Sequence, residues 1–285
     1  MIEYFDFFQN QARKRTGYAT MKIIDFHTHI FPDALAPRAL AALLCNCRGG
    51  YQPVTDMTKS SLLARMDEWG IDLSVVQPVV TKPTQVKTIN DWAAAIRSDR
   101  LLSFGGIYPT SDSWKSDIDM VVEKGLPGIK LHPEYQSFVL DDPAMLRVYD
   151  YALSKGLILF FHAGYDPAVK PPFRSDPKRF AHVLDAMRGG TIVAAHLGSQ
   201  SMWDEVEQYL CGRDIWLDTS MGFSYYSAEQ FVRIVKSHSA DRILFASDSP
   251  WSCAKEELDA FSALPLSEEE KKAILGGNAC RLLGL

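Results

Sequence analysis

The sequence predicts one α/β domain built as a (β/α)8 TIM barrel, and three observations support this fold. Eight short apolar segments, rich in β-branched and aromatic residues, alternate with helical patterns from residue 23 onward. These segments read as nearly continuous apolar runs, which is typical of parallel strands that are covered on both faces. The length of 285 residues suits a barrel, which typically takes about 250. An open doubly wound sheet is the alternative, but the sequence has neither Gly-x-Gly-x-x-Gly after the first strand nor a Gly-x-x-x-x-Gly-Lys-Ser/Thr loop.

The elements follow one another in regular order. The predicted strands are residues 23–29, 73–79, 101–107, 128–133, 157–162, 191–196, 214–219 and 242–248. The predicted helices are residues 60–70, 88–99, 114–124, 143–155, 178–187, 201–209, 227–237 and at least one within 267–285. Between the first strand and the first helix, residues 31–60 carry three prolines and a Gly-Gly pair, so we expect a long irregular connection there.

Composition limits the kinds of partner. The formal net charge of −5 gives no electrostatic reason to expect nucleic acid or an anionic membrane, and no apolar run is long enough to span a bilayer. Five scattered cysteines and the absence of a secretory signal predict a cytoplasmic protein. The expected partner is a small-molecule substrate. Residues 1–20 differ in pattern from the domain at 21–285. We expect either a mis-annotated start before Met21 or a short aromatic helix that packs on the domain or on a second subunit, which leaves a homodimer open.

The first strand carries two histidines separated by one residue. Side chains alternate along a strand, so Ile23, Asp25, His27 and His29 are expected on one face, toward the barrel interior. Two imidazoles at the end of one strand could bind one metal ion or could be ordinary polar residues of a loop junction.

The later strand ends favour a functional site. Five of the seven histidines stand at or next to these ends: His27 and His29 in the first strand, His132 in the fourth, His162 in the fifth and His196 in the sixth. Asp248 ends the eighth strand. In a barrel, the carboxyl ends of all strands meet on one rim, where the chemistry of such enzymes takes place. The remaining histidines are expected on the surface, since His182 falls inside a predicted helix and His238 directly follows one.

Several motifs together resemble the amidohydrolase superfamily, in its amidohydrolase-related branch that includes aminocarboxymuconate-semialdehyde and γ-resorcylate decarboxylases. They are Asp25-Phe26-His27-Thr28-His29, Gly128-Ile129-Lys130-Leu131-His132-Pro133, Phe161-His162-Ala163-Gly164, Ala195-His196-Leu197-Gly198, Leu217-Asp218-Thr219-Ser220, Arg242-Ile243-Leu244-Phe245-Ala246-Ser247-Asp248-Ser249-Pro250 and Gly277-Asn278-Ala279-Cys280-Arg281-Leu282-Leu283. The resemblance runs from Ile23 almost to the C-terminus and implies a barrel of the metal-dependent hydrolase type.

The resemblance also implies a ligand set and catalytic groups. His27, His29, His162 and Asp248 would bind one divalent metal, with Zn²⁺ the first expectation and Mn²⁺ or Fe²⁺ as alternatives. Asp248 would also act as a base toward a metal-activated water, and His196 would be the second catalytic group. Hydrolysis of an amide, lactone or similar carbonyl compound is the first expectation. Non-oxidative decarboxylation of an aromatic or unsaturated acid is the alternative, because both reactions use the same ligands.

Substrate-binding residues are less sharply predicted. His132 could face the substrate or ligate metal, and Arg174 could clamp a carboxylate or be solvated. Asp218 could contact the substrate or satisfy backbone donors, and Trp251 could pack a planar substrate or roof the barrel. Lys130 is expected one level below the metal, paired with Asp25 or, as a second alternative, bridging two metals as a carbamate.

Overall fold

A computed structural model describes residues 21–47, 50–187 and 189–285. The expectations for residues 1–20 lie outside this part of the chain and stay predictions.

Parallel strands form the centre of the fold. They are β1 (Ile24–Thr28), β2 (Leu73–Val76), β3 (Leu101–Ser103), β4 (Gly105–Gly106), β5 (Gly128–Leu131), β6 (Ile158–Phe161), β7 (Ile192–Ala194), β8 (Trp216–Asp218) and β9 (Ile243–Leu244). The pairing order is β1-β2-β3 in one sheet and β4 through β9 in sequence in the other. β3 and β4 are the two halves of the predicted third strand, which is interrupted at Phe104, so eight strand positions surround the axis.

Backbone hydrogen bonds join the first and last strand positions. Phe26 N donates to the Phe245 oxygen (2.9 Å), Asp248 N to the His27 oxygen (2.8 Å) and His29 N to the Ser249 oxygen (2.7 Å). The ring therefore closes through the segment that follows β9, and the predicted (β/α)8 barrel is confirmed.

Helices surround this ring. They are α1 (Ala36–Asn46), α2 (Lys59–Trp69), α3 (Val86–Ala95), α4 (Trp114–Glu123), α5 (Pro143–Ser154), α6 (Pro177–Ala186), α7 (Trp203–Tyr209), α8 (Ala228–His238), α9 (Ala254–Ser262), α10 (Glu268–Lys272) and α11 (Asn278–Leu283). Short helical turns stand at Pro83–Gln85, Ala240–Arg242 and Ala273–Gly277. Among the described helices, none is long and apolar enough to cross a membrane.

The prediction of an irregular connection over residues 31–60 is wrong in part, because α1 lies within it. The prolines there suggested a loop, but Pro37 stands in the first turn of α1, where its missing N–H leaves no helical hydrogen bond unmade. The Ala- and Leu-rich residues that follow continue the helix.

Two apolar layers hold the barrel together. The inner cluster takes alternate strand residues, and its aromatic centre is formed by Phe26, Phe104 and Phe160, with ring centroids about 6 Å apart (5.8, 6.1 and 6.1 Å). The outer cluster takes the opposite strand residues and the inward faces of the helices. Ala279 of α11 belongs to the inner cluster, so the C-terminal helix packs at the barrel's end.

The predicted face of β1 needs correction. Ile24 and Phe26, not Ile23, belong to the inner cluster. At the start of β1 the side chains therefore face the opposite way from the prediction. A register irregularity between Asp25 and Thr28 then brings His27 inward as well. The bulk of Phe26, packed among aromatic rings, decides this phase.

The two helical histidines differ. His182 is exposed, as predicted, but the surface prediction for His238 is wrong. His238 is buried at the end of α8, where its Nε2–H donates to the Ile215 carbonyl oxygen at 2.9 Å.

Candidate metal centre

Three polar side chains meet at the carboxyl end of the barrel. His27 Nε2 and His29 Nε2 are 3.1 Å apart. Asp248 Oδ1 lies 3.3 Å from the first nitrogen and 3.0 Å from the second. His27 and Asp248 are buried, and the His29 side chain is 19% exposed. Ligand atoms this close together can share one divalent ion.

The backbone around these residues is held by the bonds that close the barrel. The carbonyl of His27 accepts from Asp248 N, and the carbonyl of Ser249 accepts from His29 N. Asp248 has a φ of 64°, in the left-handed region that aspartate tolerates better than most residues. Such strained positions recur at functional sites, and this one directs the carboxylate toward the two imidazoles.

Protonation states of these groups suit a metal. Burial lowers the pKa of His27 well below its ordinary value, and the charge of Lys130 lowers it further, so the imidazole is neutral and offers a lone pair. Burial acts to raise the pKa of Asp248, but the adjoining imidazoles of His27 and His29 lower it to about 2. Despite its burial, Asp248 Oδ1 accepts no hydrogen bond of good geometry from the described residues. An orphaned carboxylate oxygen beside two imidazoles fits a divalent metal such as Zn²⁺ or Mn²⁺.

Asp218, at the end of β8, contacts the ring nitrogen of His27 that faces away from Asp248 and His29. Its Oδ2 lies 3.0 Å from His27 Nδ1, while its Oδ1 accepts from His196 N (2.9 Å) and from Ser220 N (2.9 Å). The residue is fully buried and both oxygens bind protein groups. Asp218 therefore orients His27, leaves Nε2 as its metal-facing nitrogen and satisfies backbone donors, while the expectation of a substrate contact stays a prediction.

Ser220 sets the proton position on His196. The Ser220 hydroxyl donates to Asp218 Oδ1 (2.5 Å), so it accepts from His196 Nδ1–H at 3.0 Å. The lone pair of His196 is then on Nε2, which lies 3.2 Å from His162 Nδ1. His196 follows β7 with a φ of 59°, and like Asp248 it occupies the left-handed region.

His162 lies beside His196 but outside the group of His27, His29 and Asp248. It belongs with His132 and Asp166, whose nearest atoms are His132 Nε2 and Asp166 Oδ2 at 3.5 Å. Since its Nδ1 donates to His196, its Nε2 carries a lone pair, and this buried atom has no hydrogen-bond partner among the described residues. The fourth-ligand role of His162 stays a prediction, since the structure brings together three of the four residues.

His132 forms a flat column with its neighbours. Its ring stacks on His162 (centroids 4.1 Å apart, planes at 4°) and on Tyr135 (3.9 Å, 1°). Lone pairs in parallel ring planes cannot both point at one ion, so His132 and His162 in this arrangement are a poor pair of ligands for a second metal. The column instead lines the barrel mouth, where Tyr135 also hydrogen-bonds Asp166 at 3.4 Å.

Lys130 and Asp25 do not form the expected ion pair. Asp25 accepts from Ser247 N (2.9 Å) and Ser247 Oγ (2.5 Å), because the phase of β1 turns it to the outer layer. Burial raises the pKa of Asp25 to about 7. Lys130 Nζ lies 3.2 Å from His27 Nε2 and over the Phe160 ring, and burial lowers its pKa to about 8. A lysine that loses its proton easily can lie close to a bound cation.

The other predicted substrate residues lie at the rim. Arg174 is 37% exposed; its backbone N–H donates to Glu134 Oε1 (2.5 Å), and its guanidinium lies 3.8 Å from Glu134 Oε2. Trp251 is half-buried and meets the Tyr51 ring edge-on at 6.0 Å. Among the described residues, neither side chain forms a hydrogen bond, ion pair or ring contact with the histidines of the metal centre, so their substrate roles stay predictions.

Sequence reasoning missed several polar residues of the site. Ser220 follows Asp218 by two positions at a strand end, and that spacing was a usable signal. Asp166, four residues after His162, had no regular pattern to identify it. Glu257 lies on α9, a helix that was not predicted.

Comparisons with known proteins agree with this architecture. No curated protein matches the chain by sequence. The structure of 2,6-dihydroxybenzoate decarboxylase with 2,6-dihydroxybenzoate bound has a TM-score of 0.69 at 15% identity, covering 93% of this chain and 100% of that one. A 5-carboxyvanillate decarboxylase from Novosphingobium aromaticivorans, complexed with manganese and 4-hydroxy-3-methoxy-5-nitrobenzoic acid, has a TM-score of 0.69 at 16% identity (93% and 97% covered). An uncharacterized TIM-barrel protein from Bordetella bronchiseptica has a TM-score of 0.72 at 20% identity (93% and 99% covered).

At these identities the solved structures show the fold alone, and the family follows from the sequence. The amidohydrolase family model matches residues 24–285, which include β1, every strand that follows and all the residues of the candidate metal centre. The chain therefore belongs to the amidohydrolase family.

Proposed function

We propose that this protein is a metal-dependent decarboxylase that releases CO₂ without oxidation from an aromatic or unsaturated carboxylic acid. The observation that carries the proposal is the likeness over 93% of the chain to decarboxylases of hydroxylated benzoates, joined to a histidine–aspartate metal group at the same kind of barrel rim. The sequence favoured hydrolysis first, and this likeness favours the decarboxylase alternative.

The reaction needs a cation and a proton donor. When the C–CO₂ bond breaks, its electron pair stays on the carbon, a proton takes the place of the carboxylate, and CO₂ leaves. A bound divalent metal would supply positive charge to hold and polarise the oxygens of the acid. His27, His29 and Asp248 would hold it, with His162 as the further candidate, and the manganese in the Novosphingobium structure supports Mn²⁺ beside Zn²⁺.

The chain's own residues would manage the proton. His196 keeps Nδ1 protonated against Ser220, so its Nε2 is the atom that accepts a proton and delivers it to the carbon. Asp218 fixes both imidazoles through His27 Nδ1 and His196 N. The aromatic column of His162, His132 and Tyr135 would present its ring edges to a planar substrate, an edge-to-face arrangement that aromatic rings favour.

A panel assay tests the proposal. Protein loaded with Mn²⁺ or Zn²⁺ is incubated with hydroxybenzoic acids, unsaturated dicarboxylic acids, lactones and amides, and both CO₂ release and ring opening or amide cleavage are measured. We expect CO₂ from at least one acid, and loss of that activity in His196→Asn. Cleavage of a lactone or amide with no CO₂ from any acid would overturn the proposal in favour of hydrolysis.

A further inference from the structure

A small cavity lies beside the loop that carries Asp248. Its volume is about 160 Å³, and it lies between the segments that follow β1, β8 and β9. Backbone bonds attach its walls to the loop that carries Asp248: Trp251 N donates to the Asp248 oxygen (2.9 Å) and Met221 N to the Ser247 oxygen (3.3 Å). The cavity wall is therefore built on the same short loop as the metal-binding carboxylate.

This volume suits one aromatic ring. An engineered protein cavity of about 150 Å³ binds benzene. Trp251, Tyr225 and Met221 give the cavity apolar surface, while Ser252, Glu256 and Glu257 give it oxygen atoms.

Glu257 is the unusual member of the lining. It is 3% exposed, and its carboxylate accepts from Ser252 Oγ (2.6 Å) and, over a longer distance, from Phe223 N (3.4 Å). No lysine, arginine or histidine lines the described cavity. A buried carboxylate has four acceptor positions, and these two donors leave some of them for a ligand. Burial raises the pKa of this carboxyl to about 7, against the opposing hydrogen bonds.

Charge and hydrogen bonding together define the ligand. Two glutamates without a cationic partner would repel a second carboxylate and would favour a group that donates a hydrogen bond. An apolar substituent would leave the unused acceptors of Glu257 unpaired and desolvated.

We propose that this cavity receives the ring of the substrate and that Glu257 selects rings carrying a hydroxyl or amino substituent, against rings carrying a methyl group or a second carboxylate there. The inference rests on the proposed function, because it assigns the specificity of the same site. Glu257 would be a specificity residue, separate from the metal ligands.

Binding of two probes of equal size tests the inference without any turnover. Phenol and toluene are titrated against the metal-loaded protein, and the indole N–H signal of Trp251, assigned with Trp251→Phe, reports occupancy by NMR. We expect phenol to bind about tenfold more tightly than toluene, since a hydrogen bond to a charged group is worth about one such factor. Glu257→Gln should reduce the preference, and Glu257→Met should abolish or reverse it. Glu256→Gln is the matched control: it removes the same charge from an exposed lining position and should keep the preference.

Equal binding of phenol and toluene to the wild-type protein would overturn the inference. So would a wild-type preference that persists in Glu257→Met, or that is lost equally in Glu256→Gln. Thermal unfolding shows whether the Glu257→Met protein folds. If it does not, Glu257→Gln decides, and an unchanged preference for phenol in that variant would overturn the inference. Because the probes carry no carboxylate, this binding result is independent of the panel assay, in which cleavage of a lactone or amide with no CO₂ from any acid would refute the decarboxylase proposal.

Discussion

Asp218→Asn is the sharpest perturbation of the metal centre. The asparagine oxygen can keep the position of Oδ1, with its donors from His196 N, Ser220 N and Ser220 Oγ. The amide NH₂ then faces His27 Nδ1, which lay 3.0 Å from the lost oxygen. Two donors cannot bond each other, so the His27 proton must move to Nε2, the nitrogen that faces the metal.

The size of the expected loss in metal affinity follows from this tautomer conflict. Loss of a supporting partner of a metal-binding histidine typically reduces metal affinity by about 10–100-fold, or about 1.4–2.7 kcal/mol. We expect the upper end of that range, because the change removes a bond and also blocks the ligand atom.

Competition with a chromophoric chelator measures the affinity of wild-type and variant protein for Mn²⁺ and Zn²⁺. Asp141→Asn is the matched control, since Asp141 also bonds a histidine, with its Oδ2 2.9 Å from His182 Nδ1, on the protein surface. A folded Asp218→Asn protein that binds metal within about twofold of wild type would refute the tautomer argument.

Three further predictions concern the site and its surroundings. His27→Ala or Asp248→Asn should lower bound metal per chain, measured by atomic absorption, and turnover in parallel. Glu257→Gln should raise thermal stability at pH 8 but not at pH 4.5. The pKa of Glu257 is about 7 in the folded protein against an ordinary 4.5, so the free energy of unfolding of the wild-type protein falls by on the order of 3 kcal/mol as the pH rises between these values. Gly164→Ala should lower the melting temperature, because a Cβ would stand 2.5 Å from Gln200 N at a φ of +83°.

Each of these has a clear contrary outcome. Turnover that persists in metal-free His27→Ala would remove the metal from the mechanism. An equal stability difference at both pH values would mean that Glu257 is not a strained buried acid. A Gly164→Ala protein as stable as wild type would show that the loop after β6 can move away from Gln200.

Local patterns were sufficient for most of the fold. Strand and helix periodicities depend on neighbouring residues, so the βα alternation and the barrel were predictable. Of the exceptions, one has a local cause and one a tertiary cause. α1 was missed because Pro37 was read as a helix breaker, although the first turn of a helix accepts proline. His238 was expected on the surface, but the tertiary contact with Ile215 buries it.

By itself, the sequence determined which residues stand at the carboxyl ends of the strands, and therefore that His27, His29, His162, His196 and Asp248 share one rim. Only the tertiary structure decided how they meet. The register irregularity in β1, the pairing of Asp218 with His27 and the burial of Glu257 depend on contacts between segments far apart in the chain. Such contacts follow from strand register and side-chain volume in three dimensions, which no local pattern records.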